Sequence, residues 1–250
     1  MTINAAPSSI VFTFDIDWAP DWMIGELGEL VAAAGVSATF FATHDSPVIR
    51  QLQSESTFEV GVHPNFLPGS THGATPDEVM QNILGWFPQA TAARTHSLAQ
   101  SEPLLGLMAR HGVRVDCSIH LPQASHVAPH ALRFEPDGPV MIRIPHVFQD
   151  NMYMLAREPW DDAPGWLATE GLKTLNFHPV HVALNAADGL AYQALRQKGP
   201  LMSLTRQDMP AVDPEAPGVG RFLRSVLRQL RGQTTLTISG IAARWAGTTT

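Results

Sequence analysis

Two carboxylates, Asp15 and Asp17, stand one residue apart directly after the apolar run Ile10-Val-Phe-Thr-Phe14. A carboxylate pair at a strand end suits two tasks, holding a cation and moving a proton. Taken alone, the pair also reads as turn capping by aspartate. Four more apolar runs end in polar groups: Glu59-Val-Gly-Val-His63-Pro-Asn65, Ala92-Ala-Arg94-Thr-His96-Ser97, Val115-Asp116-Cys-Ser118 and Leu175-Asn-Phe-His178-Pro-Val-His181. Histidine is the commonest metal ligand and the usual acid–base group near neutral pH. The chain has 11 histidines, all between His44 and His181. Parallel strands share a direction, so several polar strand ends converge on one face, where active sites of α/β proteins gather. One site is therefore predicted, without its reaction. His44, His111, His120, His126, His130 and His146 have no clear strand-end context and read as loop or surface residues.

The elements that must position these groups alternate between strand and helix. Ile10–Phe14 reads as a buried strand, followed by a helix from near Asp21 to Ala34 that Gly35 stops. Val36–Ala42 and Phe58–Val62 read as strands, and Thr75-Pro-Asp-Glu78 is a capping box opening a helix to about Phe87. Ala92–Thr95 reads as strand, Ser101 caps a helix through His111, and Val113–Ser118 is strand again. Four prolines make 121–139 a loop with a short strand near Ala131–Phe134. A strand at Val140–Ile144 precedes an aromatic-rich excursion, Pro145–Pro164, and the sequence leaves open whether it is a lid. The rhythm returns with a strand at Leu172–Phe177, a helix from about Gly189 to Gln197 and a basic amphipathic helix at Arg221–Arg231. Such alternation predicts βα units on a parallel sheet.

The 250 residues, 44% of them hydrophobic, suffice for one domain with a substantial core. A single domain over 1–250 is expected, with a helical extension at about 219–250. The net charge of −7 argues against nucleic acid as a partner. No apolar run is long enough for a membrane span, and Met1–Ser9 has no basic start and apolar stretch of a secretory signal. With a single cysteine, Cys117, these features predict a cytoplasmic protein.

The order and wording of the polar strand ends resemble the polysaccharide deacetylase family, the NodB-homology group of carbohydrate esterases, over roughly residues 10–185. Phe12-Thr-Phe-Asp15-Ile-Asp17 resembles its T-F-D-D opening, with the second aspartate one place late. Glu59-Val-Gly-Val-His63 resembles its E-I-G-x-H strand, Arg94-Thr-His96-Ser97 stands where it has R-x-P, and Asn176-Phe-His178 where it has a late histidine. The resemblance implies an α/β fold, a distorted parallel (β/α) barrel. It implies a metal-dependent hydrolase, with zinc as the expected divalent ion, that removes an N-acetyl group from an amino sugar in surface polysaccharide metabolism. The expected substrate is an N-acetylated sugar or a lipid-linked saccharide. Asp15 matches the catalytic base, Arg94 the group that holds it, and His178 the acid that protonates the leaving amine. Asp17 and His63 match metal ligands.

This sequence departs from the family at the third ligand. The usual second histidine lies four residues after the first, and that position is Leu67. His72, on the same loop, is the expected replacement, and His96 is its competitor because it too stands at a strand end. Trp18, Asn65, His96 and Ser97 are candidate substrate contacts, and Phe66, Phe148 and Trp160 could stack on sugar rings. Asp116 and His181 are candidates to support the site. An aspartate-nucleophile phosphatase would need a lysine at a strand end, and Lys173 and Lys198 are poorly placed for it. A D-x-D glycosyltransferase gives no account of His63, Arg94 and His178. The alternative from another class is a degenerate barrel that binds a glycan or a partner without catalysis, with Leu67 as its best support.

Overall fold

The computed structural model describes residues 10–136, 138–162 and 164–248; the expectation for Met1–Ser9 lies outside them. The first half follows the predicted alternation: β1 (Ile10–Asp15), α1 (Asp21–Ala34), β2 (Ala38–Ala42), α2 (Pro47–Ser54), β3 (Phe58–Val62), α3 (Pro76–Trp86), β4 (Ala92–Ala93), α4 (Glu102–Arg110) and β5 (Val115–Asp116). The second half holds β6 (His130–Arg133), β7 (Val140–Arg143), β8 (Phe148–Gln149), α5 (Asp150–Leu155), β9 (Lys173–Phe177), α6 (Pro179–Ala183), α7 (Leu190–Arg196), α8 (Val219–Leu230) and α9 (Ile238–Thr248).

Local chemistry sets the boundaries. Met23, Ile24, Leu27 and Val31 bury one stripe of α1, and Gly35, at φ 69°, takes the left-handed turn that ends it. Thr75 and Glu78 form the predicted capping box of α3, and the Ser101 hydroxyl accepts from the N–H of Leu104 at the start of α4. Ser46 and Pro47 start α2 in the same way, in a segment too short to show a period. β4 and β5 are shorter than predicted, although the N–H groups of Arg94 and Cys117 still donate to Val62 and Ala93.

The strands form one sheet in the order β6-β7-β5-β4-β3-β2-β1-β9-β8, and every pairing is parallel except β6 with β7. Alternation then sorts the side chains. Ile10, Phe12 and Phe14 of β1 pack outward with the helices, whereas Val11 turns to the concave side. Val11 shares one apolar cluster with Ile144, just past β7, five strands away. A flat sheet would separate them by about 24 Å at the usual strand spacing. The sheet therefore curls into a half-barrel, the distorted parallel barrel expected.

The C-terminal helices complete this core. Phe222, Leu223, Val226, Leu227 and Leu230 of α8 are buried among the outer helices. Ile238, Ile241 and Ala242 of α9 lie in the concave cluster. Glu59 anchors that helix: its carboxylate accepts from the N–H and hydroxyl of Ser239 and from the hydroxyl of Thr39. A carboxylate at a helix N-terminus satisfies N–H groups that have no partner within the helix. The first residue of the Glu59–His63 strand thus serves packing, and its last residue faces the opposite end of the sheet.

The Pro145–Pro164 segment is not a detached lid. Phe148 is buried against Tyr153, Trp166, Phe177 and Phe222, with ring centroids 5.0–5.8 Å away. Trp160 joins this cluster and donates its indole N–H to the Ala187 carbonyl at 2.9 Å. Phe66 packs partly buried against the core. Phe148 and Trp160 are therefore packing groups, because burying a large ring in a close-packed core outweighs leaving it free for a ligand.

Candidate active site

β1 delivers Asp15 buried at its end, and the N–H of Ile16 still donates to Phe41 across the sheet. Asp17 and Trp18 then take φ values of 45° and 55°. Two successive left-handed residues without glycine cost about 1–2 kcal/mol each. The Trp18 N–H is held by the Thr43 hydroxyl at 3.0 Å. A second such pair, Ser97 and Leu98, follows His96. The two strained turns meet where the Trp18 and His96 rings touch edge to face, 5.1 Å apart.

Three ligand atoms converge there. Asp17 Oδ1 lies 3.1 Å from both His63 Nε2 and His96 Nδ1, and the two nitrogens are 3.3 Å apart. Ligands about 2.1 Å from one ion stand roughly 3.0–3.4 Å from each other in octahedral or tetrahedral arrangement. A carboxylate oxygen with two imidazole nitrogens is also a donor set suited to zinc. Burial works to raise the Asp17 pKa, but hydrogen bonds and charge from His63, His96 and His178 hold it well below the usual range.

Beneath this triangle, Asp15 is fixed on both oxygens. Arg94 donates to Oδ1 at 2.8 Å and Asn176 donates to Oδ2 at 2.7 Å. Asn176 Oδ1 accepts in turn from Arg94 at 2.6 Å, and the Thr13 hydroxyl accepts from the other guanidinium nitrogen at 3.0 Å. Arg94 is fully buried and stacks over Phe41, 4.7 Å from the ring centroid. Gly61 makes room for that ring: a Cβ there would lie 2.8 Å from Phe41 and 2.7 Å from the Ala92 carbonyl. Burial pushes the Asp15 pKa up, but Arg94, His63 and His178 bring it below the ordinary value. Asp15 is thus an ionised base, and each of its oxygens keeps a second lone pair for a proton.

On the other side, His178 Nε2 lies 3.5 Å from Asp17 and 4.0 Å from Asp15. Its Nδ1 stands 2.6 Å from Asp150 Oδ1, and its backbone N–H donates to Asp150 Oδ2 at 2.8 Å. Burial lowers the His178 pKa, but the charge of Asp150 and its hydrogen bond outweigh that and push it up to about 10. Burial likewise works to raise Asp150, and the two neighbouring histidines hold it far below the usual carboxylate range. His181 Nδ1 is 3.2 Å from Asp150 Oδ2. Sequence reasoning missed Asp150, which ends the run Val147-Phe-Gln149 as Asp15 ends β1. It also gave Asn176 and Thr13 no role, although both alternate with outward Phe and Leu residues on their strands.

A family model described as WbmS-like polysaccharide deacetylase matches residues 12–196, three quarters of the chain. The chain belongs to this family. The solved structure of WbmS from Bordetella bronchiseptica, described as a polysaccharide deacetylase involved in O-antigen biosynthesis, is 30% identical. That match covers 89% of this chain and 90% of that one, with a TM-score of 0.76. Two more distant structures share the fold. A polysaccharide deacetylase assigned in Mycobacterium smegmatis is 14% identical, with TM-score 0.56 over 98% of this chain and 92% of its own. A 4-alpha-glucanotransferase from Thermococcus litoralis is 10% identical, with TM-score 0.55 over 94% of this chain and 40% of its own. No curated protein sequence matches the chain.

In this chain the expected ligand His72 stands apart from Asp17 and His63. Its Nδ1 accepts from the Asn65 N–H at 3.1 Å and its Nε2 donates to the Thr43 carbonyl at 2.7 Å. Both ring nitrogens are spent, which fixes the neutral tautomer; burial lowers its pKa in the same direction. The group that the fold gathers around Asp17 and His63 is completed by His96. Leu67, where the family usually has its histidine, is 40% exposed. Asn65 spends its side-chain oxygen on the Leu67 N–H at 3.0 Å, and Ser97 is exposed beside His96. Asp116 supports the His96 loop: it accepts from the Ser118 hydroxyl at 2.6 Å, and that hydroxyl accepts from the Thr95 N–H at 2.9 Å. Lys173 begins β9 at the opposite end from the site, as the argument against a phosphatase requires.

Proposed function

We propose that this deacetylase-family chain removes the acetyl group from an N-acetylated sugar, free or lipid-linked, in surface polysaccharide metabolism. The observation that carries the reading is the convergence of Asp17, His63 and His96 at 3.1–3.3 Å, with Asp15 and His178 on either side of them. Asp17, His63 and His96 would hold a divalent ion, zinc in our reading. Such an ion supplies Lewis acidity to an amide carbonyl and acidifies water.

The chain's own groups carry the protons. Asp15, ionised and clamped by Arg94 and Asn176, accepts a proton from the attacking water. Water oxygen bonds to the carbonyl carbon, the C–N bond breaks, and His178 Nε2 gives its proton to the nitrogen. An amide nitrogen leaves only when protonated, and Asp150 keeps His178 charged for that step. Trp18 and the exposed Ser97 border the open face and are the proposed contacts for the acyl group. His96 passes from substrate contact to ligand.

No helix of the described residues is long and apolar enough to cross a membrane. The single cysteine, buried Cys117, supports a cytoplasmic site of action. The test is acetate release by zinc-loaded protein from a panel of N-acetylated sugars. Release that stops on chelation and returns with zinc is expected; a glycan-binding protein without release would take the place of the enzyme.

A further inference from the structure

A cleft of about 690 Å³ opens beside Asp17 and His178. His178 and His181, Asn151 and Leu155 of α5, and Leu190 and Tyr192 of α7 line it. Two other cavities, of about 540 and 330 Å³, lie along α1 and touch none of these groups. We infer that the cleft between α5 and α7 is the subsite for the sugar on the leaving-amine side, and that it takes a short saccharide of one to a few rings.

The inference rests on the deacetylase reading for its direction. His178 is the proton donor, its Nδ1 is committed to Asp150, and its free Nε2 faces the catalytic aspartates. The nitrogen that receives the proton must come within hydrogen-bond reach of that atom. The sugar carbon bonded to this nitrogen then lies on the His178 side, away from Trp18 and His96. The cleft opens on that side.

The lining fits a saccharide. Asn151 has its side-chain oxygen buried with no hydrogen-bond partner among the described residues. Buried acceptors are rarely left unpaired, and a turn of this amide toward the cleft would give it a sugar hydroxyl. Tyr192 stands edge-on to His181, 5.0 Å between centroids, and adds an aromatic wall. Leu155 and Leu190, 74% and 69% exposed, are the most exposed large apolar side chains among the described residues, and both line the cleft. Sugar rings present apolar C–H faces between polar edges, so amide, aromatic and aliphatic groups together suit them. The volume is that of a pocket for a small molecule, and a long polymer would project beyond it.

The test follows methyl signals of full-length protein, with and without zinc, during titration with N-acetylglucosamine and N,N′-diacetylchitobiose. Saturable shifts are expected at Met154, Leu155 and Leu190, and none at Leu67 and Leu121, which lie outside the cleft. Leu190→Trp, at an exposed position, should raise KM for acetate release about tenfold or more with kcat little changed; Leu67→Trp should leave both unchanged. Shifts centred on Leu67 or Leu121, no shift with either sugar, or an unchanged KM in Leu190→Trp would overturn the subsite. Shifts in the cleft without acetate release leave the subsite standing and remove the deacetylase reading. Release with shifts elsewhere does the reverse.

Discussion

Two clusters of identical composition, one aspartate and two histidines each, sit side by side in this molecule. Asp17, His63 and His96 form the first, and Asp150, His178 and His181 the second. In the second, both oxygens of a fully buried Asp150 receive N–H groups from His178, and charge is balanced inside the protein. In the first, two imidazole nitrogens crowd a single oxygen of Asp17, whose side chain remains 23% exposed. On the function proposed above, the closed cluster keeps a proton on His178, and the one with an open side holds a cation. Residue types alone do not separate these roles. Burial and the open face do.

The largest effect expected from breaking this division is at the base between the clusters. Asp15→Asn should lower acetate release by about 10²- to 10⁴-fold while zinc content stays unchanged. Within the first cluster, His96→Ala should weaken zinc binding by more than about 100-fold, the upper end for loss of an outer partner, whereas His72→Ala should retain the metal. Competition against a zinc indicator measures both.

In the second cluster, Asp150→Asn should leave zinc bound and lower kcat by about tenfold or more. Without the carboxylate, the His178 pKa falls, so the alkaline limb of the kcat–pH profile moves to lower pH. A uniform loss with an unmoved limb would mean that Asp150 only packs.

The fold predicts one change in packing and a smaller one in pH dependence. Gly61→Ala should destabilise by about 1–3 kcal/mol in chemical denaturation, since Phe41 and the Ala92 carbonyl cannot both give way. Asp150 has a lowered pKa, so its contribution to stability is present above the ordinary 3.8 and is lost as pH falls through the folded value. His178 has a raised pKa, so its contribution is full below 6.5 and is lost as pH rises through about 10. Thermal melts of zinc-free protein should therefore show the pair's full effect between about pH 4 and 6.5, and Asp150→Asn should flatten both flanks.

Asp15, Asp17, His63 and His178 were legible as candidates because each stands at or just past the end of a strand of five or six residues, whereas Arg94 follows the two-residue β4 and was carried by the family resemblance. His96 and His72 were not separable by that logic. Sharing a loop with His63 favoured His72, but the strained turn at Ser97 and Leu98 brings His96 across from a neighbouring strand, which no spacing encodes. Asp150 was hidden because β8 is two residues long and lies among prolines and aromatics. The curl that brings Arg94 to Asp15 across three strands is likewise a property of the whole sheet, and so is the seat of α9 on Glu59.

The most direct test of the division is the structure of zinc-loaded protein with the metal located by its anomalous scattering. One zinc is expected among Asp17, His63 and His96, with His72 still bonded to the Thr43 carbonyl and His178 still paired with Asp150. Zinc held by His72, or lodged among Asp150, His178 and His181, would contradict it.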